Sequence, residues 1–454
     1  MKKFKNIFHK RRITNDFIFK GLDEQTDGKP NFDISMDGKY SDVNKSGEKV
    51  FLVGENISDI NMDKKGLAIL EKEQKFACMA VKIDSLFFDY SSHDKKQQAK
   101  IKKNSAAIIK PACLKKKCYP FTLSRNLLGY LIPGGNERRC RELAALFQEK
   151  FAVLAPETIS VGIAVYPASN FTKSETIINA VKALDHAAFL GRGSVVVFDA
   201  VSLNISGDKF YQQGDLKGAI RELKAALALD PENINVINSL GVCFGILNDF
   251  KKACNEFRKV VEKSPDEVMA IYNLGLAHMF QGNKLKALDY MLRACRKDPN
   301  VFEVLYQIGR LFLDMKNYKK AVRFFKKALV LQPESWPVLR YLGKSYLALH
   351  MTKEAINIFE KAVKQNPNDA ESLSELGFLM DLQGENSEIT TLFCRHSVRI
   401  EPDNGLFRYK LGCLYLKHNQ LEQALKELTK ADQLGYEARA DIKEARSRIS
   451  ASSV

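Results

Sequence analysis

From about residue 200 to residue 450, large apolar residues recur at helical spacing in short blocks, and a polar turn separates each block from the next. Small residues keep a strict register inside this pattern. Gly207, Gly241, Gly275, Gly309, Gly343 and Gly377 are each 34 residues apart, and Gly412 follows after 35. Ala219, Ala253, Ala287, Ala321 and Ala355 keep the same period, as do Pro231, Pro265, Pro299, Pro333 and Pro367. Three registers with one period define a repeated pair of antiparallel helices. Gly and Ala let the two backbones approach, and Leu240, Phe244 and Phe257 fill the space between them. Proline stops the second helix, because it lacks an amide hydrogen and its ring clashes with the preceding turn. Gly214-Asp215, Asn248-Asp249, Gly282-Asn283 and Asn317-Tyr318 supply the turns inside the pairs. Pro402 follows Pro367 after 35 residues, which places a one-residue insertion between Gly377 and Pro402, around Gly384 to Thr391.

This pattern resembles the tetratricopeptide repeat family. In that family the first helix carries a large residue, then Leu-Gly, then an aromatic. Here the second repeat has Ile237, Leu240-Gly241 and Phe244, and the fifth has Leu339, Leu342-Gly343 and Tyr346. The second helix carries Ala, a large residue and Ala again, as in Ala321, Phe325 and Ala328 before Pro333. The resemblance implies an all-α solenoid of seven repeats over residues 201–436, with a charged capping helix and tail over 437–454. Departures sit mainly at the ends: Ser206 precedes the first Gly, Thr390 and Cys394 stand near the expected Ala and Phe of the sixth unit, and Gly435-Tyr436 closes the seventh without proline. It also implies a groove lined by the first helices, with Asn238, Tyr272, Asn273, Tyr306, Arg310, Arg340, Lys344, Tyr409 and Lys410 facing it. Cations among aromatics suit an extended peptide with acidic groups or a free carboxylate. The alternative is a row of ordinary solvated side chains.

Upstream, the period changes to alternating strand and helix. Phe76 to Ile83, Asn126 to Ile132, Ile159 to Tyr166 and Val195 to Phe198 read as strands, and Asp94 to Cys113, Glu137 to Phe151 and Ser174 to Phe189 as helices. The pattern predicts an α/β domain over residues 66–200, with helices packed on a mixed sheet. Residues 1–65 are polar and turn-rich and are expected to be partly disordered, with Lys49 to Val53 as a possible extra strand.

The run Ile159 to Pro167, the helix from Ser174 and the closing Gly191-Arg192-Gly193 resemble the last third of a GGDEF (diguanylate cyclase) domain. The resemblance implies a catalytically inactive copy. Ala188 replaces the family's triphosphate-binding Lys, and Ser124-Arg-Asn-Leu-Leu128 stands where the signature loop belongs. Lys82-Ile-Asp84 replaces its Asp-x-Asp pair, and Tyr90 takes the place of the guanine-reading Asn. The family's product-binding Arg-x-x-Asp pair has Lys115 and Cys118 at its positions. Joining two nucleoside triphosphates needs hard cations held by carboxylate oxygens, and Asp84 alone cannot build that site. Lys82, Arg125 and Arg192 remain as a possible phosphate-binding set.

Charge sharpens the division. The chain carries +16, with 33 basic against 23 acidic residues up to residue 200 and 37 against 31 beyond it. Residues 95–150 hold fourteen cations and three acids, a run that can attract phosphates or an anionic membrane surface. It lacks the aromatic interleaving of single-strand binders, so a solvated face is favoured and nucleic acid is not expected. Nine scattered cysteines without a Cys-x-x-Cys pair imply reduced thiols in a reducing compartment, and no Cys/His cluster has zinc-site spacing. The basic start at Met1 to Arg12 lacks a following apolar segment, and no stretch is long enough to span a bilayer, so a soluble cytoplasmic protein is expected. Phosphate-loop, nucleophile-elbow and dinucleotide fingerprints are absent from the sequence. The leading expectation is a non-enzymatic adaptor without cofactor or metal. The alternative is a sensor that binds a nucleotide or cyclic dinucleotide in the α/β domain, and an active cyclase ranks third.

Overall fold

The computed structural model describes residues 62–84, 118–124, 127–153 and 158–452. The basic helix expected at Asp94 to Cys113, the strand at Lys49 to Val53, Tyr90 and Arg125 lie outside them. The chain divides into two compact units, Met1–Pro265 and Asp266–Val454.

The first unit opens with α1 (Lys64–Lys72), then β1 (Phe76–Ile83), β2 (Tyr119–Ser124), β3 (Leu127–Pro133), α2 (Glu137–Ala152), β4 (Ile159–Tyr166), α3 (Lys173–Leu190) and β5 (Val195–Val197). The five strands form one sheet in the order β2-β3-β1-β4-β5, antiparallel except for the β4–β5 pair. β1 is apolar almost throughout because both of its faces are covered. Ala77, Met79, Val81 and Ile83 pack with Cys140, Leu143 and Phe147 of α2. Phe76, Cys78 and Ala80 pack on the other face with Ile177, Ala180 and Leu184 of α3. On that face a Cβ added to Gly162 would lie 2.1 Å from the carbonyl oxygen of Ala180, so glycine is what lets α3 rest on the sheet. The sequence pattern missed β2, a short edge strand that carries Pro120, a residue tolerated only where a ladder donor can be spared.

Two repeats follow within this unit: α4 (Ala200–Gln212) with α5 (Leu216–Leu229), and α6 (Ile234–Ile246) with α7 (Phe250–Lys263). Packing runs across the expected boundary near residue 200. Lys182 Nζ of α3 lies 2.7 Å from Glu222 Oε2 of α5, Asp185 pairs with Lys209 of α4 at 2.6 Å, and Phe171 and Phe198 pack against the α4–α6 core.

The second unit holds five pairs: α8 (Val268–Phe280) and α9 (Lys284–Lys297), α10 (Phe302–Asp314) and α11 (Tyr318–Leu331), α12 (Trp336–Ala348) and α13 (Thr352–Gln365), α14 (Ala370–Leu382) and α15 (Ser387–Ile400), α16 (Gly405–Lys417) and α17 (Leu421–Gln433). The terminal helix α18 (Arg439–Ser452) buries Ala445 against the last pair. The insertion sits in the turn of the sixth repeat, where Gln383 to Asn386 replaces the shorter Leu349 to Met351 of the fifth.

Each pair closes at its glycine. A Cβ on Gly241 would meet the Phe257 ring at 2.7 Å, and one on Gly309 the Phe325 ring at 2.5 Å. In the sixth repeat the buried Cys394 takes the ring's place, with its sulfur 2.9 Å from such a Cβ on Gly377. Gly245, one turn beyond Gly241 on α6, has nothing within 4 Å of an added Cβ. Gly241→Ala is therefore expected to lower stability by about 1–3 kcal/mol through overpacking. Gly245→Ala is expected to raise it by up to about 1 kcal/mol, the helical preference of alanine. Urea unfolding of the two variants checks this, and equal effects would contradict the packing.

Candidate functional site

Within the second unit the first helices α10 and α12 touch, as do α14 and α16, and ion pairs from Arg340 and Lys344 to Asp369 and Glu371 join α12 to α14, so the side chains from α10 to α16 form one row. Tyr272, Tyr306 and Arg340 recur in it at the repeat period, and Arg310 and Lys344 recur four residues later. The centre of the row is a ladder of rings and cations. Phe302 stacks on Tyr306 at 6.1 Å, and the Arg310 guanidinium lies 5.7 Å from the Tyr306 ring and 5.3 Å from that of Tyr341. Arg340 lies 5.1 Å from both Tyr341 and Trp336, and Lys344 lies 5.6 Å from Tyr341. Such contacts are worth about 0.5–2 kcal/mol each, depending on desolvation, and they fix the direction of long side chains. Tyr341 and Trp336 were not singled out from the sequence. Their signal is a single tryptophan and an Arg-Tyr dipeptide on one helix, which gains meaning only once α10 and α12 are seen side by side.

Most of the cations expected to face a partner are held by carboxylates of the chain itself. Arg340 Nη1 donates to Asp369 Oδ1 at 3.0 Å, with Glu371 at 3.5 Å from Nε. Burial opposes the guanidinium charge, but Asp369, Tyr341 and Glu371 outweigh it and raise its pKa. Lys344 Nζ lies 2.5 Å from Glu371, and the buried Lys410 lies 2.5 Å from Glu375. α14 thus supplies acids to both neighbouring first helices. Buried pairs of this kind are costly to break from one side, since the remaining charge is left without compensation. Tyr272, Asn273 and Tyr306 are buried, and Asn238 is half-buried on α6 in the first unit. Tyr409 packs at a tilt on Tyr436 with ring centroids 4.7 Å apart, and its hydroxyl is pushed up by hydrogen bonding with Cys413 and by burial.

Three repeat lengths before Arg310, the same position of α4 is Asp208. Asp208 is half-buried, and desolvation pushes its carboxyl up to about 7; burial, with the Asp208 charge adding to it, raises the Tyr211 and Cys243 groups. The sequence reading passed over this residue because an acid on a surface helix carries no signal until its burial is known.

In the α/β layer, Lys82 is half-buried on β1 opposite Leu127 and Ser160. Arg192 sits in the turn between Gly191 and Gly193, which both have positive φ. Asp84 is buried and fully engaged. Its carboxylate accepts from Thr158 Oγ1 and Ser160 Oγ at 2.6 Å and from the Gly193 amide at 2.7 Å. It ties the end of β1 to the start of β4 and to the Arg192 turn. Among the described residues no group of three His, Cys, Asp or Glu side chains is placed to hold a metal ion. Cys118 is disulfide-bonded, so the expectation of reduced thiols does not hold at that position. Seven other cysteines are free, and burial raises the thiols of Cys140, Cys243 and Cys394 to about 12, far from thiolate at neutral pH.

Comparison with known proteins defines the class of the helical pairs. Family models described as TPR repeat and tetratricopeptide repeat match residues 207–245, 247–301 and 312–385. These segments are tetratricopeptide repeats, a class of protein-binding helical array. No curated protein sequence matches the chain. Among solved structures, a tetratricopeptide repeat protein from Parabacteroides merdae is 20% identical over 54% of this chain and 96% of its own, with a TM-score of 0.41. The pilF protein of Pseudomonas aeruginosa is 20% identical over 46% of this chain and 95% of its own, at 0.43. MamA from Desulfovibrio magneticus is 25% identical over 37% and 96%, at 0.35. Among the described residues no helix is long and apolar enough to cross a membrane.

The Asp208 carboxyl ionises near its ordinary 3.8 when unfolded and at about 7 when folded. Between those values the folded chain holds the extra proton, so stability falls as pH rises across the window. Asp208→Asn stays neutral, and its stabilising effect in denaturant titrations is expected to grow across that window and level off above it. A gain that does not vary with pH would contradict the burial of this carboxyl.

Proposed function

We propose that the chain is a non-enzymatic cytoplasmic adaptor that binds a protein partner as an extended peptide along the first-helix row of its tetratricopeptide repeats. The observation that carries this reading is the ladder from Phe302 to Trp336, in which Arg310 lies over Tyr306 and Tyr341. Flat rings bind apolar side chains and peptide planes, and a guanidinium among them offers planar donors that match a carbonyl or carboxylate. Arg340, Lys344 and Lys410 answer Asp369, Glu371 and Glu375, so these pairs shape the row rather than a preference for acidic residues in the partner.

In the same reading, the α/β layer is a degenerate GGDEF-like domain. What supports this is the strand order of the sheet, the antiparallel pairing of β2 with β3, and the Arg192 turn after α3. Its inactivity follows from Lys82 at a carboxylate position and from Asp84 being spent on Thr158, Ser160 and Gly193. A second reading, a nucleotide or cyclic-dinucleotide sensor, draws on the placement of Arg192 in a turn that Asp84 anchors. Equilibrium dialysis with GTP and with a cyclic dinucleotide tests it. Saturable binding lost in Arg192→Ala would favour the sensor, and no binding would leave the adaptor alone.

For the adaptor, the informative variant is Arg310→Glu, because Arg310 stands between the Tyr306 and Tyr341 rings at the centre of the ladder. Partners captured by the full chain are expected to be lost by at least about tenfold in this variant, a change of about 1.4 kcal/mol. Circular dichroism should show the variant folded, with a melting shift no larger than the loss of its two ring contacts accounts for. Lys353→Glu on the second helix α13 should retain them. Unchanged capture by Arg310→Glu would refute the row as the binding surface.

A further inference from the structure

The second helices of the repeats differ sharply in charge. α13 offsets Lys353, Lys361 and Lys364 with Glu354 and Glu360, and α17 offsets Lys426 and Lys430 with Glu422, Glu427 and Asp432. α11 has no such balance. Lys316, at its turn, and Lys319, Lys320, Arg323, Lys326 and Lys327 on the helix are all exposed, and no acid occurs between Asp314 and Glu334. None of the six has a carboxylate partner among the described residues. Lys319, Arg323, Lys326, Lys327 and Val330 follow helical spacing, so they share one face.

The neighbouring second helix, α9, extends the charge. It carries Lys284, Lys286, Arg293, Arg296 and Lys297 against Asp289 alone. Lys284 leans toward Asp314 at 3.7 Å and Lys297 pairs with Asp266, which leaves Lys286 and Arg296 exposed without an ion pair. Cys295 on α9 lies within electrostatic reach of Lys327 on α11. Burial raises that thiol, while Lys327 from α11 and Arg296 from α9 both act to lower it. Together α9 and α11 carry ten cations and one acid, a larger excess than the 37 against 31 of the whole chain beyond residue 200. The rest of that region is therefore net acidic, and the positive charge is gathered in one place.

Three of the cations are held in position by rings beneath them. Lys320 lies 5.2 Å from Phe312, Lys326 5.6 Å from Tyr346 and Lys327 5.5 Å from Phe324. Aliphatic side chains stand out among them: Val330 is 80% exposed, Leu285 71% and Leu331 37%.

We infer that the face formed by α9 and α11 docks on an anionic phospholipid surface. Headgroup phosphates match the cations, and the interfacial zone accepts Leu285, Val330 and Leu331, which a purely ionic partner would leave in water. The aromatic side chains of this face, Tyr290, Tyr318 and Phe324, are half-buried, so the face lacks the open rings on which nucleic-acid bases stack. The proposal is independent of the peptide reading, since it uses second helices and none of the ladder residues.

Vesicle co-sedimentation of the full chain tests it. Vesicles of phosphatidylcholine with about 30% phosphatidylserine should bind the chain, pure phosphatidylcholine should not, and about 0.5 M salt should release it. Each cation near such a surface is worth about fivefold in partition, so Lys319→Glu/Arg323→Glu/Lys326→Glu is expected to weaken binding by at least about a hundredfold. The matched control on α13, Lys353→Glu/Lys361→Glu/Lys364→Glu, changes net charge equally and should lose far less. If the α11 reversal unfolds, as circular dichroism would show, the alanine version of the same three positions serves instead. The inference is overturned if anionic vesicles do not bind the chain or if the α13 control loses as much. It is also overturned if duplex DNA binds more tightly than the vesicles and depends on the same α11 residues, which would assign the face to nucleic acid.

Discussion

Everything in the repeat region depends on how closely two helices approach at one glycine per pair. The first helix offers a bare backbone, and the second presses a ring, Leu223, Met291, Leu428 or Cys394 into the space a Cβ would need. The alanines at Ala219, Ala253, Ala287, Ala321, Ala355 and Ala424 are fully buried on the other side of the same contact. Because this contact fixes the pair, the remaining faces are free to vary in chemistry without altering the fold. The α/β layer uses the same device once, where Gly162 lets α3 lie directly on β4.

That freedom is used differently on the two kinds of helix. First helices carry rings interleaved with cations, and α14 places Asp369, Glu371 and Glu375 so that the cations of α12 and α16 are neutralised inside the row. Rigidity follows, since each charged group is held by a neighbouring repeat. On the second helices α9 and α11, cations are left facing solvent. In the α/β layer, Asp84, just beyond β1, is a structural tie that accepts from Thr158, Ser160 and Gly193.

The repeats were legible in the sequence because their contacts recur at a fixed covalent spacing, and the strands β1 and β4 because burial on both faces writes a continuous apolar run. The inserted residue was legible for the same reason and lies in the turn after Leu382. Contacts between residues far apart in sequence left no such mark. The pairing of Arg340 with Asp369, the meeting of Arg310 with Tyr341 and the burial of Asp208 depend on which helices become neighbours. β2 escaped notice because an edge strand with a proline has neither alternation nor length. The bond at Cys118 is invisible to spacing arguments that count only close cysteine pairs.

The central claim is that a protein partner lies on the first-helix row of the repeats. A photo-crosslinking residue placed at Leu313, which shares the face of Tyr306 and Arg310, tests it against the same residue at Lys361 on α13. The account predicts that a partner protein crosslinks from position 313 and not from position 361. Crosslinking from 361 alone would contradict it.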